Sequence, residues 1–573
     1  MPQTLTTPRG ETLSGTPWQV YPRPQMRRDS YINLNGEWDF AVSSGKPETF
    51  DMRITVPFCP ESRLSGIGRH FEEGAPLWYR RRFLLPEGFR RKRVLLHIGA
   101  ADQTAEVFVN GQHLCRHEGG YASFCVDITE ALAEENELVI RCTDDLHDQA
   151  FPYGKQVMNR GGMWYTPVSG IWQTVWLESV PGTYIENLNI ENHGASVTIS
   201  TVPPLEGTVS VEPLGQFPLE NGQVTIAPEN PHFWCPDDPY LYHFTLETAQ
   251  DKVESYFAIR SLEIKKVGEY PRLCLNGKPY FFHGLLDQGY WPEGLLTAPA
   301  PESYADDILA MKRLGFNTLR KHIKVEPEEF YYQCDRLGMI VWQDMVNNSS
   351  YSYFRDTVLP TIGIQKWNDR RLHLDERSRN AFRRGAADAV NQLKNHPCIC
   401  YWTIFNEGWG QFDSDRVSGW FRTLDATRFI DTTSGWFRGK NTDVDSRHQY
   451  FGKLRLEGDG LRPLVLSEFG GKTWRGEGDI FNPDKTYGYG ACPTREALNE
   501  AVAALYRESI VPAVEKGLCA AIYTQVSDVE DEVNGLITYD RRVVKLDADT
   551  MLPISRALQD AMEKTVASFE KMG

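Results

Sequence analysis

Three regimes of hydrophobic and polar patterning follow one another along the chain. Over 1–182, short runs alternate apolar and polar positions, the period of a half-buried strand. Leu34-Asn35-Gly36-Glu37-Trp38-Asp39-Phe40 sets a turn signal ahead of such a run, and 94–99, 105–111, 137–142 and 170–178 repeat it. The run over 105–111 ends in Asn110-Gly111, a hairpin dipeptide. This spacing predicts a sandwich or jelly roll. Over 183–262 the strands shorten and proline-rich turns separate them, Pro203-Pro204 and then 228–239 around Trp234. That is the size of an immunoglobulin-like sandwich, without a Cys–Trp–Cys signature. Over 263–573 the period switches. A hairpin and strand over 275–284 lead to an amphipathic helix at 303–314, a strand at 315–320, a helix at 328–336 and a strand at 339–344. Alternation of β and α over this length predicts a parallel barrel or a doubly wound sheet. The predicted class is multidomain, β followed by α/β.

Two phrases in the third segment carry candidate chemistry. Thr403-Ile404-Phe405-Asn406-Glu407-Gly408 and Val465-Leu466-Ser467-Glu468-Phe469-Gly470-Gly471 are each a buried-strand run that ends near a carboxylate and then glycine. In a (β/α)8 barrel the reactive groups stand at the C-terminal ends of the strands. Two carboxylates placed so provide a proton donor for a leaving oxygen and a partner for a cationic sugar carbon. Either glutamate alone reads as a solvated loop acid; the pair, with Asn406 and the glycines, points to glycoside chemistry.

Composition narrows the remaining classes. At 573 residues the chain exceeds a single core. Its 15 Trp and 25 Tyr suit large β-cores and sugar-stacking sites alike. A net charge of −16 argues against a nucleic-acid partner. The 11 cysteines are scattered with no C-x-x-C pair and read as reduced thiols, which with an N-terminus lacking a signal pattern predicts a cytoplasmic protein. No segment is apolar enough to span a membrane. Without a G-x-G-x-x-G after a strand, an H-E-x-x-H or other ligand spacing, neither a nucleotide cofactor nor a metal is expected.

Further residues carry a resemblance. Tyr21-Pro22-Arg23-Pro24 with Leu34-Asn35-Gly36-Glu37-Trp38, Ser169-Gly170-Ile171-Trp172-Gln173, Asn395-His396-Pro397 leading to Trp402 and Asn406-Glu407, and Ser467-Glu468-Phe469-Gly470 resemble the signatures of glycoside hydrolase family 2. This is the family of β-galactosidases, β-glucuronidases and β-mannosidases. The resemblance covers nearly the whole chain and implies a jelly roll, an immunoglobulin-like sandwich and a (β/α)8 TIM barrel, a sugar or glycoconjugate substrate, and a homo-oligomer. It implies that Glu407 is the acid/base on the fourth strand, that Glu468 is the nucleophile on the seventh, and that Asn406 donates to the sugar 2-hydroxyl. Sixty-one positions separate the two acids, fewer than three average units of a barrel of about 250 residues. The three-unit reading therefore requires strands at 429–434 and 446–450 with no full helix between them.

The expected chemistry is double displacement, with the carboxyls about 5–5.5 Å apart. Tyr450 is expected to donate to the nucleophile. Arg320 either holds Glu468 ionised or serves a structural ion pair below the site. Asp287 and Trp436 follow strand ends and face the sugar, and the loop 155–165, with Arg160 and Trp164, reaches over the barrel mouth. Where the resembling pattern continues the arginine strand with Ser-His-Tyr, this chain has Lys321-His322-Ile323-Lys324. His322 and Lys324 therefore join the candidate binding residues, as extra cations suited to a sugar carboxylate or as plain surface charges. The stretch 532–536 lacks the lysine by which β-glucuronidases read a uronate. A galacto-configured sugar, galacturonide or galactoside, is expected first. A glucuronide-specific or other family 2 exo-glycosidase, a transglycosylase and a non-catalytic carbohydrate-binding protein remain alternatives.

Overall fold

The computed structural model describes residues 3–570 apart from 362–363, 365–367, 438, 455, 477 and 479. Alternation in the first segment produces two antiparallel sheets. Four strands (Tyr31–Asn33, Val175–Val180, Arg93–Ile98, Phe124–Asp127) face six (Met52–Val56, Gly36–Val42, Leu77–Phe83, Asn136–Thr143, Thr104–Val109, Gln112–Glu118). Their inward positions, among them Trp38, Phe40, Tyr79, Leu96, Val107, Ile140 and Leu177, form one core. Asn110 and Gly111 both adopt positive φ, 49° and 82°, the tight turn that suits the strand twist. The run over 170–178 is not one strand. Gly170–Ile171 pairs with Ala101–Asp102 in a small two-stranded sheet, the chain then bends, and Val175–Val180 joins the four-stranded sheet. A pattern of alternation cannot distinguish one strand from two that change partners.

The second sandwich packs three strands (Asn187–Asn192, Val197–Val202, Gln223–Ile226) on four (Gly215–Leu219, Gly207–Val211, Tyr242–Thr248, Lys252–Phe257). Ile190, Ile199, Val209, Leu246 and Phe257 fill the space between them.

The third segment closes into a near-complete barrel. Its eight parallel strands are Phe282–Asp287, Thr318–Lys321, Ile340–Asp344, Ile399–Asn406, Phe429–Ser434, Asp445–Gln449, Leu464–Phe469 and Leu518–Tyr523. Ladder bonds join all neighbours except the fifth and sixth. Side chains cross that seam: the Ile430 N–H donates to Asp443 Oδ2 at 2.8 Å, and the Ser434 and Ser446 hydroxyls lie 3.3 Å apart. Helices Glu302–Arg313, Glu328–Leu337, Glu376–Leu393 and Ser414–Phe421 follow the first four strands. Among the described residues no helix separates strands five, six and seven, which is how three units fit between Glu407 and Glu468. All 11 cysteines are free thiols. Among the described residues no helix is long and apolar enough to cross a membrane.

Asp335, on the second of these helices, joins barrel to sandwich from a fully buried position. Its carboxylate accepts from Tyr256 of the second sandwich at 2.8 Å, from His396 Nδ1 at 2.7 Å and from the Cys398 N–H at 2.8 Å. Removing it strands three buried polar groups. Asp335→Ala is expected to destabilise the chain by about 3 kcal/mol, read as a lower denaturant midpoint. An unchanged midpoint would show that this joint carries no load.

Candidate active site

Arg320 stands at the centre of the C-terminal end of the barrel. It is the penultimate residue of strand two, is fully buried, and its guanidinium donates in five directions. Nε reaches Asp344 Oδ1 at 3.0 Å on strand three, and Nη2 reaches Asn406 Oδ1 at 2.8 Å on strand four. Nη1 reaches Glu468 Oε1 at 2.9 Å and the Ser467 carbonyl at 3.1 Å on strand seven, and His448 Nε2 at 3.2 Å on strand six. A buried guanidinium requires such partners, because its desolvation is otherwise uncompensated.

The two glutamates meet around this hub. Glu407 follows the fourth strand with φ 49°, a left-handed conformation uncommon outside glycine, and its N–H is held by the Ser434 carbonyl at 2.9 Å. Its Oε1 contacts His448 Nδ1 at 2.7 Å and accepts from Tyr450 at 3.2 Å. Nδ1 of His448 thus faces Glu407, and Nε2 faces Arg320 and, at 3.0 Å, the Ser434 hydroxyl. The same Tyr450 hydroxyl lies 2.5 Å from Glu468 Oε2. One oxygen of Glu407, one of Glu468 and a nitrogen of His448 all lie within 4.8 Å of one another. These three groups offer the donor atoms a metal would need, but the Arg320 cation already occupies one side of Glu468 and opposes a second positive charge. An exposed trio, Glu73, Asp145 and His147, is the other such grouping among the described residues.

Burial pushes the Glu468 carboxyl up, but His448 and Arg320 outweigh it and hold the group at about 2. Asp344 is likewise pushed up by burial and drawn below its ordinary value by Arg320 and His322. The arrangement can therefore present one carboxylate as a persistent anion beside a second carboxyl that shares a tyrosine hydroxyl with it.

The glycines after each acid have a steric reason. A Cβ on Gly408, at φ 77°, would stand 2.2 Å from the Phe437 ring, and one on Gly470, at φ 81°, would stand 2.2 Å from Tyr523. Only glycine permits these turns and these approaches together.

The other candidates divide. Asn406 enters the cluster: Arg320 fixes its oxygen, and its Nδ2 is buried without a partner. Tyr450 bridges the acids, Trp436 stands edge-on to His448 and Tyr450 at 6.0 and 6.2 Å, and His322 sits one layer back on Asp344 at 2.7 Å. Asp287 and the lysines lie apart from the pair. Lys321 bonds Asp287 at 2.6 Å and Glu326 at 2.9 Å, and Lys324 bonds Glu326 at 2.8 Å and the Leu296 carbonyl at 2.7 Å. Both lysines are buried and neutralised, so the expected cationic mouth is not built from them.

Several groups in the cluster escaped the sequence reading. His448 lies two residues before Tyr450, on the same strand face, and period two would have flagged it. Asp344 ends an apolar strand as Glu407 does. No local signal marked Lys155, Tyr165 or Glu532, which come together only when the sandwich loop docks. Trp164 stacks on Trp409 at 5.2 Å, Arg160 pairs with Glu530 and Asp531 at 3.3 and 3.2 Å, and the Tyr165 hydroxyl meets Glu532 at 2.5 Å. The expected reach of this loop over the barrel is present.

Comparisons with known proteins agree with this frame. Residues 69–160 match the family model for the glycosyl hydrolase 2 galactose-binding domain-like unit, 183–260 that for glycosyl hydrolases family 2, and 267–487 that for the family 2 TIM barrel domain. The chain belongs to glycoside hydrolase family 2. A β-galactosidase of Thermoanaerobacter pseudethanolicus is 24% identical over 57% of this chain and 44% of its own length. A β-glucuronidase of Bacteroides fragilis is 22% identical over 66% of this chain and 56% of its own. The chain thus spans about half the length of these curated relatives. Among solved structures, the fold is similar to a Dictyoglomus thermophilum β-D-glucuronidase (TM-score 0.70, 18% identity, 95% of this chain and 98% of that one). It is similar too to an Eisenbergiella tayi β-galacturonidase bound to galacturonate (TM-score 0.67, 17% identity, 95% and 99%).

A carboxyl held low in the folded state stabilises it fully above its unfolded value of about 4.3 and loses that contribution as the pH falls toward 2. Carbon-13 NMR of the Glu468 carboxyl is expected to give a midpoint near about 2. In Tyr450→Phe, which removes one donor, that midpoint should move up. A midpoint that does not move would show that the tyrosine leaves the charge of Glu468 untouched.

Proposed function

We propose that the chain is a retaining exo-β-glycosidase whose nucleophile is Glu468 and whose acid/base is Glu407. The observation that carries this reading is the shared Tyr450 hydroxyl between two buried carboxyls whose oxygens approach within 4.8 Å. Inverting enzymes need about 6.5–9.5 Å between carboxyls to admit a water, whereas retaining ones need about 5–5.5 Å. The short approach favours retention.

In the first step an oxygen of Glu468 attacks the anomeric carbon and the bond to the leaving oxygen breaks. Glu407 gives that oxygen its proton. In the second step water attacks the same carbon, Glu407 takes its proton, and the bond to Glu468 breaks. Arg320 and Tyr450 keep Glu468 anionic and a competent leaving group. The unpartnered Nδ2 of Asn406 supplies a donor for the sugar 2-hydroxyl, a contact that strengthens as positive charge grows on the ring. Trp436 offers a face for the sugar, and the docked 155–165 loop closes one side of the opening, favouring attack at a chain end.

For the sugar we favour a galacto-configured ring, β-galacturonide ahead of β-galactoside. Relatives and similar structures bear all three names, β-galactosidase, β-glucuronidase and β-galacturonidase, and the stretch 532–536 has no lysine. A β-glucuronide is the second reading.

A panel of nitrophenyl β-glycosides, with the anomer of the first product read by NMR, tests the class. Retention with release from at least one sugar is expected, while silence across the panel would favour a binding protein instead. Glu468→Gln is expected to abolish covalent labelling by a 2-fluoro glycoside while the melting temperature stays near wild type. Labelling that persists would remove the nucleophile. Glu407→Gln should lower kcat by roughly 10²–10⁴ on sugars with poor leaving groups and much less with dinitrophenolate, which departs without a proton. Equal losses on both would argue against an acid role.

A further inference from the structure

Lys155 lies on the sandwich loop that docks over the barrel, and only 5% of it is exposed. Its ammonium stands 4.8 Å from the centroid of the Trp409 ring and 5.9 Å from that of Trp164. It makes no hydrogen bond or ion pair with any described side chain. The acids whose charge it feels are Glu532, then Glu468 and Glu407, none at ion-pair distance. A cation in this position has lost most of its hydration and regained the attraction of two indole faces and of three acids beyond ion-pair distance. An apolar side chain would pack there at lower cost, so the ammonium calls for a partner that arrives from outside.

Four other cations around the site are already committed. Arg320 is held by Asp344, Glu468 and Asn406, Lys321 by Asp287 and Glu326, Lys324 by Glu326, and Arg160 by Glu530 and Asp531. None of these four is left without a paired anion as Lys155 is, although burial pulls the Lys155 ammonium below its ordinary value. Glu532 is the group that opposes an incoming anion. Its two oxygens are engaged by Tyr165 at 2.5 Å and by Asn534 Nδ2 at 3.0 Å, and burial pushes its carboxyl up toward the uncharged form.

We propose that Lys155 is the specificity-determining residue that receives the carboxylate of a β-linked uronide, against the wall formed by Trp164 and Trp409. This rests on the glycosidase reading above and narrows its substrate to a uronide rather than a neutral hexoside. It also moves the reading of the sugar's charge from the barrel lysines to a residue delivered by the first sandwich.

The test is Lys155→Met, assayed on nitrophenyl β-galacturonide, β-glucuronide and β-galactoside. The uronide kcat/KM is expected to fall roughly 10- to 100-fold more than the galactoside value, as befits the loss of a charge-assisted hydrogen bond, and mainly through KM. Equal losses on charged and neutral sugars would mark Lys155 as structural and overturn the assignment. A wild-type preference for the galactoside would overturn it as well, while leaving the glycosidase reading intact. Absence of turnover of every sugar by the wild type would instead remove the parent reading. Inhibition of the wild type supplies a second measurement that needs no variant: free galacturonate should bind at least about 10-fold tighter than galactose, and equal inhibition would sink the assignment even if Lys155→Met did not fold.

Discussion

The whole catalytic end of the barrel depends on one buried guanidinium. Arg320 lies between two carboxylates on different strands, Asp344 and Glu468, and each has surrendered water for it. Neither charge would be tolerable alone at this depth. The geometry is set by the rigid fork of the arginine, which fixes its partners in a plane and leaves Asn406 only one way to turn. Stability and chemistry are therefore not separable here. His448 and Arg320 together hold the Glu468 carboxyl low, and the Arg320 contact also holds strand two to strand seven.

This hub also accounts for the open seam. Strands five and six lack ladder bonds with each other, yet Ser434, Ser446 and Ser467 form a chain of hydroxyls across and beside the gap, and Ser434 reaches His448 Nε2 at 3.0 Å. The irregular part of the barrel is thus where His448 and Tyr450 leave their strand to meet both acids. A regular ladder would hold backbone to backbone. Side-chain closure lets these two rings be placed by the site itself, and the positive φ of Glu407 stores local strain beside them.

The sequence disclosed the two acids because each ends a buried run and is followed by a glycine with a steric purpose, Gly408 against Phe437 and Gly470 against Tyr523. The three segments of the fold were legible from period two giving way to alternating strand and helix. The sequence left the lysines open between sugar contacts and surface charges, whereas the structure buries both in ion pairs, because adjacency in sequence is not adjacency in space. Arg320 points into the barrel, so Lys321, the next residue on the strand, points out toward the helix layer, where its ammonium lies 4.2 Å from the Phe330 ring. Lys324 is drawn under the turn at Gly289, where a Cβ would collide with Glu326 at 2.1 Å. Lys155 could not be found from pattern at all, since its environment is assembled from 155–165, Trp409 and Glu532, brought together only by docking of one domain on another.

That docking gives the first sandwich a role beyond support. On the proposed reading, the barrel by itself supplies the acids, the arginine and the tyrosine that cleave the bond. On the same reading, what distinguishes one sugar from another comes from the wall around the ring, and on one side that wall is Lys155 and Trp164 from the sandwich. Aromatic stacking between Trp164 and Trp409 and the ion pairs of Arg160 hold the loop in place. On that reading the interface couples domain packing to substrate choice. A change that loosened it would be expected to blur specificity before it slowed the chemistry, because Glu407, Glu468, Arg320 and Tyr450 all belong to strands or strand ends of the barrel and keep their contacts without it.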